Sequence, residues 1–279
     1  MDAQPLSMVF LTNGSIRAMP VLEAMRGRGI GIAAIIVEQV RHGGLQAKLR
    51  QTARERGLLR TVGLVTTKGP AAVLRRLMSF LRVLRPRPAS KCIEYYRRFS
   101  ATVLTVCDLN GDDCTRHLSA LRPDLVVLGG ARILKPHIVR IPRLGVLNPH
   151  PGLLPAYRGV HVTRWALLNG DPVGATVHFV DEGVDTGRIC RREEVPILCS
   201  DTLGTLEERV AQVAGRLMAD VVAELIAHGT VPTWPNPRED GKQYFLMDPR
   251  TLRRARRCLR EAARGAMGGV GRGVSSGGT

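Results

Sequence analysis

Asn148 and His150 stand two residues apart in the stretch "VLNPHPGLLPAYRG", and Asp185 follows in "VDEGVDTG". A carboxamide, an imidazole and a carboxylate are the parts that acyl transfer to an amine requires. The carboxamide can hold a developing oxyanion, the carboxylate can orient and stabilise an imidazolium, and either His or Asp can move a proton. No Ser or Cys stands in a nucleophile elbow, so a covalent acyl-enzyme is not indicated. The same residues also have a plainer reading. Asn148 would cap a turn, His150 would be a surface or half-buried histidine, and Asp185 would accept loop amide bonds. Residue types alone do not separate the two.

The elements that would position these groups alternate strand and helix. "SMVFL" is a short apolar run ending at Thr12-Asn13-Gly14-Ser15, a turn and helix-start cluster. "IRAMPVLEAMRGRG" predicts a helix with Pro20 near its first turn, closing at Gly27 or Gly29. "IGIAAIIVEQ" is a continuous apolar strand, as strands covered on both faces are. Residues 44–84 are arginine-rich and helical in period, and "RPRP" ends them. "ATVLTVCDL", "DLVVLGG" and "GVLNPHPG" are further strands, with the helix "DDCTRHLSALRP" between the first two. This order predicts an α/β fold with a doubly wound, mostly parallel sheet, and ligands in such sheets bind at the carboxyl edge. Gly129-Gly130 and Asn148 fall at such strand ends.

"GATVHFV" is a different kind of strand, with Thr176 and His178 on one face and Val177 and Phe179 on the other. "TLEERVAQVAGRLMADVVAELIAHG" predicts a long helix, with a capping box of Thr205 and Glu208, apolar positions from Leu206 to Leu225 at helical spacing, and Gly229 as its stop. "TVPTWPNPREDGKQYFLM" reads as extended with a turn at Asp240-Gly241, and a short basic helix follows.

The chain has 279 residues, enough for one large domain with a small appendage. No apolar run approaches the roughly 18 residues of a membrane span, and the N-terminus lacks the layout of a secretory signal. The six cysteines form no C-x-x-C pair, so neither a disulfide scaffold nor a metal site is indicated. A cytoplasmic location is expected. The net charge of +17 is a footprint shared with nucleic-acid binders, but aromatics make up only 4% and supply little for base stacking. Attraction of a polyanionic small molecule, or a bias toward arginine, explains the charge as well.

The run "LNPHPGLLPAYRG…WALLNGD…GATVHFVDEGVDTG" resembles the signature of the folate-dependent formyltransferase family. That family includes glycinamide ribonucleotide, methionyl-tRNA and sugar N-formyltransferases and has a Rossmann-like fold. The resemblance is strong from Leu125 to Ile189, weaker from Val9 to Val37 and very weak between residues 44 and 100. It rests on Asn-x-His, a Leu-Leu-Pro step (Leu153-Leu154-Pro155) and Asp185-Thr186-Gly187 in one order.

The resemblance implies roles. Asn148 would hydrogen-bond the formyl oxygen, and His150 would stabilise its charge and help proton transfer. Asp185 would orient His150 and accept a proton. The donor would be 10-formyltetrahydrofolate, with no metal, held by two loops that include Arg132, Ile133 and Leu134 on one side and Val180, Asp181 and Asp185 on the other. His178 would support the site from behind. On the acceptor side, Asn13, Gly14 and Ser15 suit an anion at a helix start, and His161 sits where some relatives have a substrate-side histidine.

The expected function is formyl transfer to a small-molecule amine. Two alternatives are a glycinamide ribonucleotide enzyme of purine synthesis and, from another class, a basic RNA-binding protein on a degenerate formyltransferase fold. The methionyl-tRNA enzymes carry a large C-terminal barrel, which the residues after His228 do not resemble, so full tRNA recognition is not expected. The division expected is a formyltransferase catalytic domain over 1–230, a helical or hairpin extension over 231–264, and a disordered Gly-rich tail over 265–279. The acceptor amine, the oligomeric state and the role of the arginine-rich segment 44–88 are left open.

Overall fold

The computed structural model describes residues 6–15, 18–39 and 89–270. The arginine-rich segment 44–88 and residues 271–279 lie outside the described residues.

Seven strands form the central sheet. They are β1 (Met8–Thr12), β2 (Ala34–Glu38), β3 (Val103–Val106), β4 (Leu125–Leu128), β5 (Gly145–His150), β7 (Gly174–Phe179) and β8 (Ile189–Glu194), in the order β3-β2-β1-β4-β5-β7-β8. The first five in that order run parallel, while β7 pairs antiparallel with both β5 and β8. The strand order reverses between β1 and β4, which is the switch point where doubly wound sheets open a crevice. The expected α/β, mostly parallel sheet is therefore observed.

The sheet is covered on both faces, and the alternation along β1 shows how. Met8 and Phe10 enter a cluster with Leu22, Met25, Leu147, Leu217 and Val221, beneath α1 (Ala18–Gly27) and α6 (Leu203–His228). Val9 and Leu11 enter the opposite cluster with Leu118, Val126, Ile138 and Val146. That second layer is closed by α3 (Asp112–Leu121) and the short α4 (Pro136–Val139). Each fully buried Leu or Phe contributes about 1.5–3 kcal/mol relative to exposure, so β1 and β2 are held by what covers them. The remaining helices are α2 (Ala89–Tyr96), α5 (Val162–Asn169) and α7 (Pro249–Val270).

Two local expectations are corrected. The capping box of α6 is Thr202 with Thr205, not Thr205 with Glu208: Thr205 donates its N–H to the Thr202 hydroxyl at 3.2 Å, and the Thr205 hydroxyl accepts the Thr202 N–H at 2.9 Å. Thr205 is thus already the third helical residue. Gly229 ends α6 in the left-handed conformation, as expected. The extension after α6 runs extended and then helical, as expected, but β9 (Lys242–Tyr244) pairs parallel with β6 (Tyr157–Gly159), a short strand in a region read as loop. From there α7 packs Ala255, Leu259 and Ala263 inward, and its backbone continues to Val270, beyond residue 265 where the tail was expected to begin. No described helix is long and apolar enough to cross a membrane.

Candidate active site

β5 outruns its parallel neighbour. Gly145–Leu147 pair with β4, whereas Asn148–His150 continue past the end of β4 and pair only with β7. This leaves Asn148 and His150 at the open carboxyl edge of the sheet, on the face they share by the two-residue strand period. Opposite them in register stand His178 and Thr176. Thr176 is buried and ties down the loop after β5, donating to the Gly152 carbonyl at 2.7 Å and accepting the Leu154 N–H at 3.1 Å. Gly152 has no substitute here, because a Cβ would lie 2.9 Å from His150 Nε2.

Asp185 reaches the same point from the loop after β7. Its Oδ2 accepts the Gly159 N–H at 2.8 Å and lies 3.5 Å from His150 Nδ1. Its Oδ1 lies 3.5 Å from both His178 Nε2 and Asn148 Nδ2. Burial acting alone would raise this carboxyl. The charge of His150, the hydrogen bond and charge of His178 and the Gly159 N–H together outweigh it and hold Asp185 well below the ordinary carboxylate range.

The hydrogen-bond partners assign the protons. His178 Nδ1 donates to the Phe179 carbonyl at 2.7 Å, and its Nε2 stands between Asn148 Nδ2 and Asp185 Oδ1. Asn148 Nδ2 stands 3.1 Å from His178 Nε2 and donates to Asp185 Oδ1 at 3.5 Å, so both groups orient the carboxamide. His150 Nε2 faces the Tyr157 carbonyl at 2.7 Å and must donate to it. Its Nδ1 faces the ionised Asp185, so the buried ring lies between two acceptors and is matched to them when both nitrogens are protonated.

These groups line a cavity of about 1140 Å³. All six residues expected to hold the donor, Arg132, Ile133, Leu134, Val180, Asp181 and Asp185, are on its wall, as are His161 and His178. The 131–135 loop is anchored from outside: Asn110 donates to the Ile133 carbonyl at 3.0 Å and accepts the Lys135 N–H at 2.7 Å, and Arg132 pairs with Glu38 and Asp108. His161 adopts φ 57° at the start of α5 and accepts the Met247 N–H at 3.1 Å.

Asn13, Gly14 and Ser15 are not brought into this wall. The Gly14 N–H goes to the Thr12 hydroxyl at 3.1 Å and the Ser15 N–H to the Asn13 carboxamide oxygen at 3.0 Å. Among the described residues no group of His, Cys, Asp and Glu is arranged to hold a metal ion.

Sequence reasoning missed several contributors. Glu23 of α1, Glu207 and Glu208 of α6, and Gln243, Tyr244 and Phe245 at β9 also line the cavity. Arg158 and Asn236, both buried, hold the backbone of Asp185. Arg158 sat within the quoted "AYRG", but nothing in "TWPNP" marked Asn236.

Comparison with known proteins agrees with this geometry. The profile of the formyl transferase family matches residues 32–222. Methionyl-tRNA formyltransferase of Pelotomaculum thermopropionicum is 39% identical over 125 residues, 44% of this chain and 40% of that protein. The Halothermothrix orenii methionyl-tRNA formyltransferase is 34% identical over 167 residues, 59% of this chain and 52% of its own length. The chain thus spans about half or less of these curated relatives. Among solved structures, a sugar N-formyltransferase from Shewanella sp FDAARGOS_354 aligns with TM-score 0.52 and 18% identity over 89% of this chain and 87% of that one. Glycinamide ribonucleotide transformylase 1 from Symbiobacterium toebii aligns with TM-score 0.51 and 23% identity over 81% and 90%. At those identities the structural likeness shows the fold, and the profile match over more than half of the sequence shows the family: the chain belongs to the formyl transferase family.

Proposed function

We propose that the protein transfers a formyl group from 10-formyltetrahydrofolate to an amine, with Asn148, His150 and Asp185 performing the chemistry. The observation that carries this reading is their convergence on one cavity from the end of β5 and from the loop after β7. The donor loops 131–134 and 180–185 suit a flat heteroaromatic ring, offering apolar Leu134 and Val180 together with backbone groups. Bound between them, the folate supplies the formyl carbon.

The remaining work falls to the chain. The amine nitrogen bonds to the formyl carbon, and the carbonyl oxygen takes up negative charge. Asn148 turns the N–H it gives to Asp185 Oδ1 toward that oxygen, and the imidazolium of His150 lies beside it. Asp185 keeps His150 charged and takes the proton that the amine gives up. The bond from the formyl carbon to the carrier nitrogen then breaks, and that nitrogen receives the proton. His178 keeps the Asn148 amide pointing the right way.

Glu23, Glu207 and Glu208 line the cavity, and Glu207 is paired with Arg164. The remaining carboxylates, Glu23 and Glu208, favour a cationic amine over the phosphate of glycinamide ribonucleotide. The test is release of tetrahydrofolate when the protein meets 10-formyltetrahydrofolate and a panel of amines. Turnover that is undiminished in both Asn148→Ala and Asp185→Ala overturns the catalytic assignment.

A second reading, an amine carried on RNA, is favoured by α7. Residues 249–264 hold seven arginines and one glutamate. Arg250, Arg253, Arg254, Arg256, Arg257, Arg260 and Arg264 are all exposed and have no ion-pair partner among the described residues. Elsewhere Arg28, Arg116, Arg140, Arg143, Arg191 and Arg216 are each paired with a carboxylate. Over residues 249–264 the buried positions Ala255, Leu259 and Ala263 face inward and the arginines face out. Binding to tRNA that survives moderate salt supports this reading, and binding that vanishes reports non-specific charge.

A further inference from the structure

Asp185 is a non-glycine residue at φ 52°, in the left-handed region. Such a backbone costs on the order of 1–3 kcal/mol and persists only where its surroundings over-determine it. Two side chains do so here. The Asp185 carbonyl accepts Arg158 Nε at 3.2 Å and Asn236 Nδ2 at 2.9 Å. Asn236 Nδ2 also donates to the Gly187 carbonyl at 3.0 Å, so one amide spans the turn around Asp185.

The two braces are fastened to each other and to little else. Arg158 Nη2 donates to Asn236 Oδ1 at 2.9 Å and to the Pro237 carbonyl at 2.6 Å, and Nη1 donates to the Arg238 carbonyl at 3.0 Å. Arg158 is 3% and Asn236 7% exposed. A guanidinium buried among neutral carbonyls is costly unless its donors are met, and here Nε, Nη1 and Nη2 each have an acceptor. The orientation of the Asn236 amide is equally determined, since its oxygen meets a donor and its nitrogen meets two acceptors. Asn236 lies beyond residue 222, where the family profile ends.

We propose that Arg158 and Asn236 are positioning residues for the reaction: the segment after α6 reaches back and, through them, sets the backbone of Asp185 so that its carboxylate meets His150, His178 and the Gly159 N–H. This rests on the formyl-transfer reading for its kinetic consequence, but not for its structural one. Neither residue touches a reacting atom. Arg158 acts from β6, next to Gly159, so the braced carbonyl and the braced carboxylate of Asp185 are served by adjacent residues.

The experiment compares the full-length protein with Asn236→Ala, Asp185→Asn and the double variant, with Arg158→Lys as a second probe that keeps charge and loses the fork. Turnover of Asn236→Ala should fall at least about tenfold, with KM for 10-formyltetrahydrofolate changed little, as for a group acting only on the transition state. In the Asp185→Asn background the same substitution should cost almost nothing more, because both changes remove one function. Amide hydrogen exchange at Gly159, which reports the Asp185 contact, should quicken in Asn236→Ala and Arg158→Lys. Unchanged turnover in a folded Asn236→Ala, or losses that multiply in the double variant, overturns the proposal. If the wild type releases no tetrahydrofolate with any amine, the formyl-transfer reading fails separately. Gly159 exchange then decides the brace, and protection equal to wild type in both variants rejects it.

Discussion

The Gly159 N–H donates to Asp185 Oδ2 at 2.8 Å, so the strand that follows the Asn-x-His loop directly holds the carboxylate delivered by the loop after β7. Gly159 also pairs with Tyr244 of β9, which makes it the point where the catalytic loops and the C-terminal extension meet.

Gly159 cannot be replaced at that point. It adopts φ +95°, and a Cβ there would lie 2.3 Å from the Tyr244 carbonyl oxygen. Gly159→Ala is expected to lose more than about 1 kcal/mol of stability, since both the backbone angle and the close approach oppose it. Its turnover should fall further than the lost stability explains. Urea unfolding and initial rates on the same preparation check both.

Single removals at the centre should separate chemistry from folding. Asn148→Ala and Asp185→Asn are each expected to lower turnover by about 10²–10⁴-fold, the range for loss of an oxyanion donor or a proton-transfer group. His178→Ala should cost less, because it acts by orienting Asn148 and another rotamer can partly replace it. Circular dichroism melting curves would establish that the proteins compared are folded.

The pH dependence of stability follows from Asp185. Its native carboxyl titrates below the ordinary range, the combined effect of burial opposed by His150, His178 and the Gly159 N–H. A depressed native pKa gives stability that is fully present above the unfolded value of about 3.9 and is lost as pH falls toward the native value. The wild type should therefore exceed Asp185→Asn in stability at about pH 7, and the gap should narrow near about pH 3. A gap that stays constant between those conditions contradicts the ion-paired state.

The thiols should divide into two classes. Burial pushes Cys114 and Cys190 up to about 12, whereas Cys107 and Cys199 are exposed. Because the thiolate is the reactive form, alkylation of the native protein should label Cys107 and Cys199 and spare Cys114 and Cys190. Peptide mass spectrometry before and after denaturation reads this directly.

The acceptor side is where sequence and structure part. Asn13-Gly14-Ser15 has the composition of an anion-binding helix start, yet the Gly14 and Ser15 N–H groups go to the Thr12 hydroxyl and the Asn13 carboxamide. A local motif cannot show whether its donors are already used. Thr205 and Glu208 made an acceptable capping box by spacing alone, and Thr202 displaced it because the helix began earlier. Arg158 was visible but mute, since a buried arginine and an exposed one have the same letter.

What the sequence by itself determined is what depends on near neighbours along the chain. Apolar runs ending in turn residues set the parallel strands, helical spacing set α6, and Asn148 and His150 were placed on one strand face by a two-residue period. Tertiary structure alone decided what depends on distant partners. It carried β5 beyond β4, brought Asp185 to His150, closed Asn13–Ser15 out of the cavity, and returned Asn236 to brace Asp185 from the far end of the chain. Those contacts are made across the sheet and between loops far apart in sequence, and no periodicity encodes which remote side chain will satisfy a buried carbonyl.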